Sequence, residues 1–197
     1  MPSPSESEQM ELAVSAVQRL GRRDFLKLAA ASAGLAAAGI FPSAAQAGMP
    51  KGLRFMGEAE YKVFHRLMRV SLPVKGTRLA SLEAIPVMQT LDAALLGGMA
   101  PHELQGLKAG VKIFDESAVK AYGKPFSQLG GKDAAAYCDA WGDSAVAMER
   151  GLVTALKKLV TLSYWANPPT WAALGYDGPV SRKWGLKSIG NAPMPSE

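Results

Sequence analysis

From Glu58 to Tyr164 the apolar side chains return every three or four positions, and nowhere is there a sustained period of two with hairpin punctuation. A helix lays such a pattern along one stripe, whereas a half-buried strand needs strict alternation. Tyr61, Phe64, Leu67, Met68 and Leu72 mark a first helix from Glu58 to Leu72, closed by Pro73. Ile85, Met88, Leu91, Leu95 and Leu96 mark a second, stopped by Gly97-Gly98. A third opens at Pro101, a residue favoured in the first helical turn, runs through Leu104, Leu107, Val111, Phe114 and Ala118, and ends at Gly123 and Pro125. Lys132 to Trp141 reads as a fourth, and Ser144 to about Tyr164 as a long fifth with Met148, Leu152, Leu156, Leu159, Val160 and Tyr164 on its stripe. The fold class expected is all-α: an irregular antiparallel bundle of about five helices over residues 48–166. Residues 167–197 are rich in Pro, Gly and Trp, lack that periodicity, and are expected to form a loop-rich aromatic tail.

The segment before the bundle has a different character. Gly21 to Phe41 reads GRRDFLKLAAASAGLAAAGIF, two arginines followed by a short run of Ala, Leu, Gly and Ile. The run is shorter than the roughly 20 strongly apolar residues that span a bilayer, and alanine and glycine add little transfer free energy. A charged start, a modest apolar run and a small-residue exit make an export signal, and Ala45-Gln46-Ala47 supplies the exit. Cleavage after Ala47 would leave Gly48 as the new N-terminus and remove residues 1–47. Arg22, Arg23, Phe25, Leu26 and Lys27 resemble the twin-arginine signal, whose route carries proteins that are already folded, often around a cofactor. A passenger on that route holds a cofactor itself or travels bound to a partner that does.

Removing the leader leaves about 150 residues, enough for one domain with a core of its own. Glu6, Glu8, Glu11 and Asp24 balance Arg19, Arg22, Arg23 and Lys27, so the remainder keeps the net charge of +5. Its basic residues are scattered and not interleaved with aromatics, which does not indicate nucleic-acid binding. A single cysteine, Cys138, excludes an internal disulfide, a cysteine-ligated iron–sulfur cluster and a cysteine-based zinc site. No CxxCH is present for covalent haem, and His65 and His102 lie far apart, outside any HExxH arrangement. No metal site and no cofactor is expected in this chain.

Little in the sequence points to catalysis. There is no GxGxxG after a strand, no P-loop and no GxSxG elbow. Asp115 and Glu116 are adjacent, so on a helix they point about 100° apart and do not share a proton readily. His65 and Met68 share a helical face, but Phe64 and Leu67 beside them account for that face as core. No catalytic residues are assigned. Cys138, among small neighbours, is read either as a buried structural thiol or as one half of a disulfide to another chain. Tyr164, Trp165, Trp171, Tyr176 and Trp184 gather aromatic area into a tail too poor in periodic apolar sequence for a core of its own. They are expected, with Cys138, to face a partner, as Trp and Tyr do at interface centres; folding back over the bundle is the alternative.

Three segments together resemble a known family: the leader GRRDFLK, the early helix EAEYKVFHRLMRVSLP, and the closing LKKLVTLSYWANPPTWAALGYDGP. The chain is similar to the gluconate 2-dehydrogenase subunit 3 family, the small non-catalytic subunit of membrane-bound FAD-dependent dehydrogenases. The same type is the gamma subunit of glucose, fructose and sorbitol dehydrogenase complexes. The resemblance implies a large flavoprotein partner of the glucose–methanol–choline type that holds the FAD and oxidises an alcohol or sugar. It implies a cytochrome c subunit that takes the electrons, and a small subunit that binds, matures and escorts the flavoprotein through the twin-arginine translocase. The expected location is the periplasm, at the cytoplasmic membrane through the complex. Two other readings remain open: a self-contained periplasmic helical enzyme or cofactor binder, and a free-standing helical binding protein that keeps its leader as an anchor.

Overall fold

The computed structural model describes residues 4–20, 48–178 and 183–185. Among them there are seven α-helices and no strand, so the all-α expectation holds. They are α1 (Pro4–Gln18), α2 (Glu58–Ser71), α3 (Val87–Thr90), α4 (Pro101–Ser117), α5 (Val119–Tyr122), α6 (Gly131–Gly142) and α7 (Ala147–Trp165). The long α7 is the axis. Leu152, Leu156, Leu159, Val160 and Tyr164 are fully buried along it, and α1, α2, α3, α4 and α6 all pack against it. Truncating one such leucine to alanine leaves a cavity and costs about 2–5 kcal/mol.

Helix ends follow local chemistry. At the start of α2 the Gly57 N–H donates to Glu60 Oε2 at 2.7 Å, and at the start of α4 the Ala100 N–H donates to Glu103 Oε2 at 3.0 Å. Each satisfies a donor the helix leaves open. Pro101 occupies the first turn of α4, as its position predicts. The expected third helix breaks at Ala118 into α4 and α5, and Gly123, at φ +69°, ends it in the left-handed conformation. The fifth begins three residues later than Ser144, whose Oγ instead accepts the Val146 N–H at 3.0 Å and donates to the Glu149 carboxylate.

The second expected helix is the least regular. After the single turn of α3 it widens to a π turn over Leu91–Leu95 and then tightens to a 3₁₀ turn over Leu96–Gly98. All five apolar residues predicted for it are buried, and so is Asp92. The carboxylate accepts three backbone N–H groups from the lead-in segment: Arg54 at 2.8 Å on Oδ2, Phe55 at 2.9 Å and Met56 at 2.8 Å on Oδ1. One acidic side chain thus latches residues 54–56 to the bundle and offsets its own burial with charge-assisted hydrogen bonds.

The domain boundary at Ala47 meets an unexpected neighbour. Residues 4–20 belong to the leader by the sequence reading, yet α1 packs on α4 and α7, with Met10, Ala13, Ala16 and Val17 buried. Half of its buried face is alanine, which suits close helix approach and leaves little hydrophobic contrast to read. The export motif Arg22, Arg23, Phe25, Leu26, Lys27 and the cleavage residues Ala45 and Ala47 lie outside the described residues; Gly48 is exposed.

Candidate functional site

The candidate surface is the C-terminal arm, built from the end of α7 onward. Tyr164 is the last member of the buried α7 stripe, and its hydroxyl donates to the Ala80 carbonyl at 2.7 Å. Two residues past the end of α7, Asn167 is also buried. Its Nδ2 donates back to the Ser163 carbonyl at 2.6 Å and reaches Thr90 Oγ1 at 3.4 Å, while its own carbonyl accepts from Thr170 Oγ1 at 2.7 Å. A helix end leaves four carbonyls open, and here a side-chain amide takes one of them. Pro168-Pro169 then carry the chain through a 3₁₀ turn, a place that needs no N–H from either proline.

That turn brings Trp171 back onto the helix end. Its indole Nε1 donates to the Trp165 carbonyl at 2.7 Å, and its ring meets Tyr176 edge-on with centroids 5.2 Å apart. Gly175, at φ +68°, makes the reversal between them. Gly178, at φ +104°, sits so close to the Trp171 ring that a Cβ there would lie 3.3 Å from it. Beyond this fixed corner the arm turns outward: Leu174 is 58% exposed, Tyr176 43% and Trp184 69%. Lys183 Nζ and an Asp177 oxygen, 2.6 Å apart, tie the Trp184 end to the corner.

The six residues expected to face a partner therefore divide. Tyr164 and Trp171 are interior, Trp165 is half-buried with its ring edge-on to Tyr164 at 4.9 Å, and only Tyr176 and Trp184 are exposed. Cys138 is 2% exposed in the wall of the core, and burial pushes its thiol up to about 11, with Lys157 pulling weakly the other way. Within the single chain its burial favours the structural thiol of the two readings of Cys138. The thiol is also protonated at neutral pH and a poor nucleophile.

The other residues weighed for chemistry are occupied structurally. Asp115 accepts the Ser127 N–H at 2.7 Å and the Ser127 hydroxyl at 3.2 Å, holding the 3₁₀ turn Phe126–Gln128. Glu116 points into solvent beside Lys112, so the two adjacent carboxylates have separate surroundings. His65 is half-buried with its ring stacked on Tyr61 at 5.5 Å; burial, then the nearby Arg69 and Arg66, lower its pKa. Phe114, Phe126, Tyr137 and Trp141 close one end of the core with rings 4.7–5.8 Å apart, and the Tyr137 hydroxyl donates to the Phe114 carbonyl at 2.7 Å. Among the described residues no group of three or more His, Cys, Asp and Glu stands close enough to hold a metal ion. None of their helices is long and apolar enough to cross a membrane.

Asp92, Asn167 and Lys158 escaped the sequence reading. A lone polar residue inside an apolar stretch was the available signal for Asp92, as was an asparagine before two prolines at a helix end for Asn167. Nothing in the sequence separates Lys158 from the adjacent Lys157. Comparison with family models, with curated proteins and with solved structures finds no match.

Proposed function

We propose that this chain is the small, non-catalytic subunit of an FAD-dependent alcohol or sugar dehydrogenase. It binds the flavoprotein subunit, supports its maturation, and carries it through the twin-arginine translocase to the periplasm. There the complex sits at the cytoplasmic membrane and passes electrons to a cytochrome c subunit. The observation that carries the reading is the leader GRRDFLK on a helical domain whose closing segment, SYWANPPTWAALGYDGP, ends in exposed aromatic side chains. Asn167 and Trp171 fix the base of that segment, so Leu174 and Tyr176 are presented with little further ordering required on binding, which favours affinity.

The test is capture of the flavoprotein by the full chain when the two are co-expressed. Replacing Leu174 and Trp184 together by serine removes exposed apolar area and leaves the Tyr176 ring in place against Trp171. The account expects unchanged far-UV circular dichroism and at least a tenfold loss of captured FAD. If the unaltered chain captures no flavoprotein, the reading is wrong. Should the chain alone purify with stoichiometric flavin, haem or metal, the self-contained cofactor binder replaces it.

A further inference from the structure

Helix α1 lies in a trough lined by glycines. A Cβ added at Gly106 would come 2.8 Å from Leu12 Cβ, at Gly110 2.9 Å from Ala13 Cβ, and at Gly151 3.2 Å from Val14 Cγ2. Gly106 and Gly110 stand one helical turn apart on α4, and Gly151 faces them from α7. The missing Cβ atoms let α1 lie this deep, with Leu12 over Gly106, Ala13 over Gly110 and Val14 over Gly151, while Met10, Ala16 and Val17 are buried along the same helix. Polar contacts fix the direction. Lys158 Nζ donates to the Val17 carbonyl at 3.1 Å and the Leu20 carbonyl at 2.9 Å, capping the open end of α1. Arg19 pairs with Glu103 at 2.8 Å beside it.

This arrangement conflicts with a leader that is cut away. Loss of residues 1–47 removes Met10, Ala13, Ala16 and Val17 together and uncovers the glycine trough with Leu152 at its floor. It also leaves the part-buried Lys158 ammonium without its two acceptors. A vacated apolar trough with a cation at one end and a carboxylate nearby is a surface that a partner covers.

We propose that the α4–α7 trough is a helix-docking site, filled in cis by residues 4–20 in the precursor and filled after cleavage by a helix of the partner flavoprotein. The incoming helix matches the mould α1 leaves: a small residue over Gly110 in the place of Ala13, apolar residues over Gly106 and Gly151, open C-terminal carbonyls toward Lys158, and a basic residue toward Glu103. This inference rests on the reading of residues 1–47 as a removable leader and of the chain as a flavoprotein's small subunit.

The experiment uses the full chain with a specific protease site inserted between Gln46 and Ala47 and a fluorescent peptide of residues 4–20. Before cutting, the tethered α1 competes at high effective concentration, so the peptide binds at least tenfold more weakly than after cutting and separation of the fragments. A peptide with Ala13→Glu, which cannot affect folding of the body, binds the cut chain at least tenfold more weakly than the natural peptide. Absence of binding to the cut chain, or equal binding of the two peptides, overturns the docking site. The flavoprotein is then titrated against the bound peptide. Displacement supports the exchange. Flavoprotein binding without displacement overturns the exchange and leaves the partnership standing, whereas peptide binding with no flavoprotein association overturns the partnership.

Discussion

Asn167 fixes the turn that follows α7, and its replacement gives a prediction with a worked size. Asn167→Ala deletes the donor to the Ser163 carbonyl and the contact with the fully buried Thr90 hydroxyl. Each lost hydrogen bond is worth roughly 1 kcal/mol net, and each buried group left without a partner about 1–3 kcal/mol. The expected loss is about 2–4 kcal/mol, a large share of the ~5–15 kcal/mol typical of a domain. Asn167→Asp keeps the shape but sets a carboxylate against the Ser163 carbonyl in a buried place. It destabilises at least as much at pH 7, and its defect shrinks on acidification, because the buried carboxyl is more readily protonated in the folded state than in the unfolded chain. Urea unfolding of the full chain, followed by far-UV circular dichroism at pH 7 and pH 5, measures both. An Asn167→Ala midpoint within error of the unaltered protein, or an Asn167→Asp variant as stable as the parent at pH 7, would refute the argument that this residue closes α7.

Three further outcomes follow from other sites. Asp92→Ala strands three backbone donors, with the Met56 N–H the most deeply buried, and is expected to cost about 3–5 kcal/mol; Asp92→Asn keeps one acceptor oxygen and costs less. Hydrogen exchange of amides 54–56 should accelerate in both variants, and unchanged protection would contradict the latch. Cys138, pushed up to about 11, is thiolate in only about one molecule in a thousand at pH 8. Native alkylation should be at least a hundredfold slower than in denaturant, and a disulfide-linked dimer on a non-reducing gel would contradict its burial. His65 has a lowered pKa in the folded state, so it favours folding above its unfolded value near 6.5, and that contribution is lost as pH falls through the lower folded value. A His65→Gln variant should therefore lose stability less steeply between pH 7 and pH 5 than the parent; an identical slope would contradict the shift.

The bundle was legible because burial and periodicity report the same thing. Leu107, Val111 and Phe114 recur at helical spacing and are core, as do Leu152, Leu156, Leu159 and Val160. Tyr164 lies on that same stripe and offers no exposed face in the single chain: a residue in register with a buried row is buried with it. Trp171 needed information the sequence does not carry, since its place depends on a donor contact with the Trp165 carbonyl across a proline turn. The aromatics past Gly175, free of any helical register, are the ones left exposed. Helix α1 was missed for the opposite reason. Its buried row of Ala13, Ala16 and Val17 has little apolar contrast, and its depth is set by glycines more than ninety residues away on α4. The π turn was equally out of reach, because Asp92 is stabilised by backbone donors from a different segment.

The most direct test of the central claim is where the flavoprotein goes when only the leader is altered. Arg22→Lys with Arg23→Lys keeps the charge and leaves every described residue unchanged. In cells producing both chains, FAD-dependent dehydrogenase activity and the flavoprotein polypeptide are measured in periplasmic and cytoplasmic fractions. The account predicts that the double variant leaves both chains in the cytoplasm, still associated. Active flavoprotein in the periplasm at the unaltered level would contradict it.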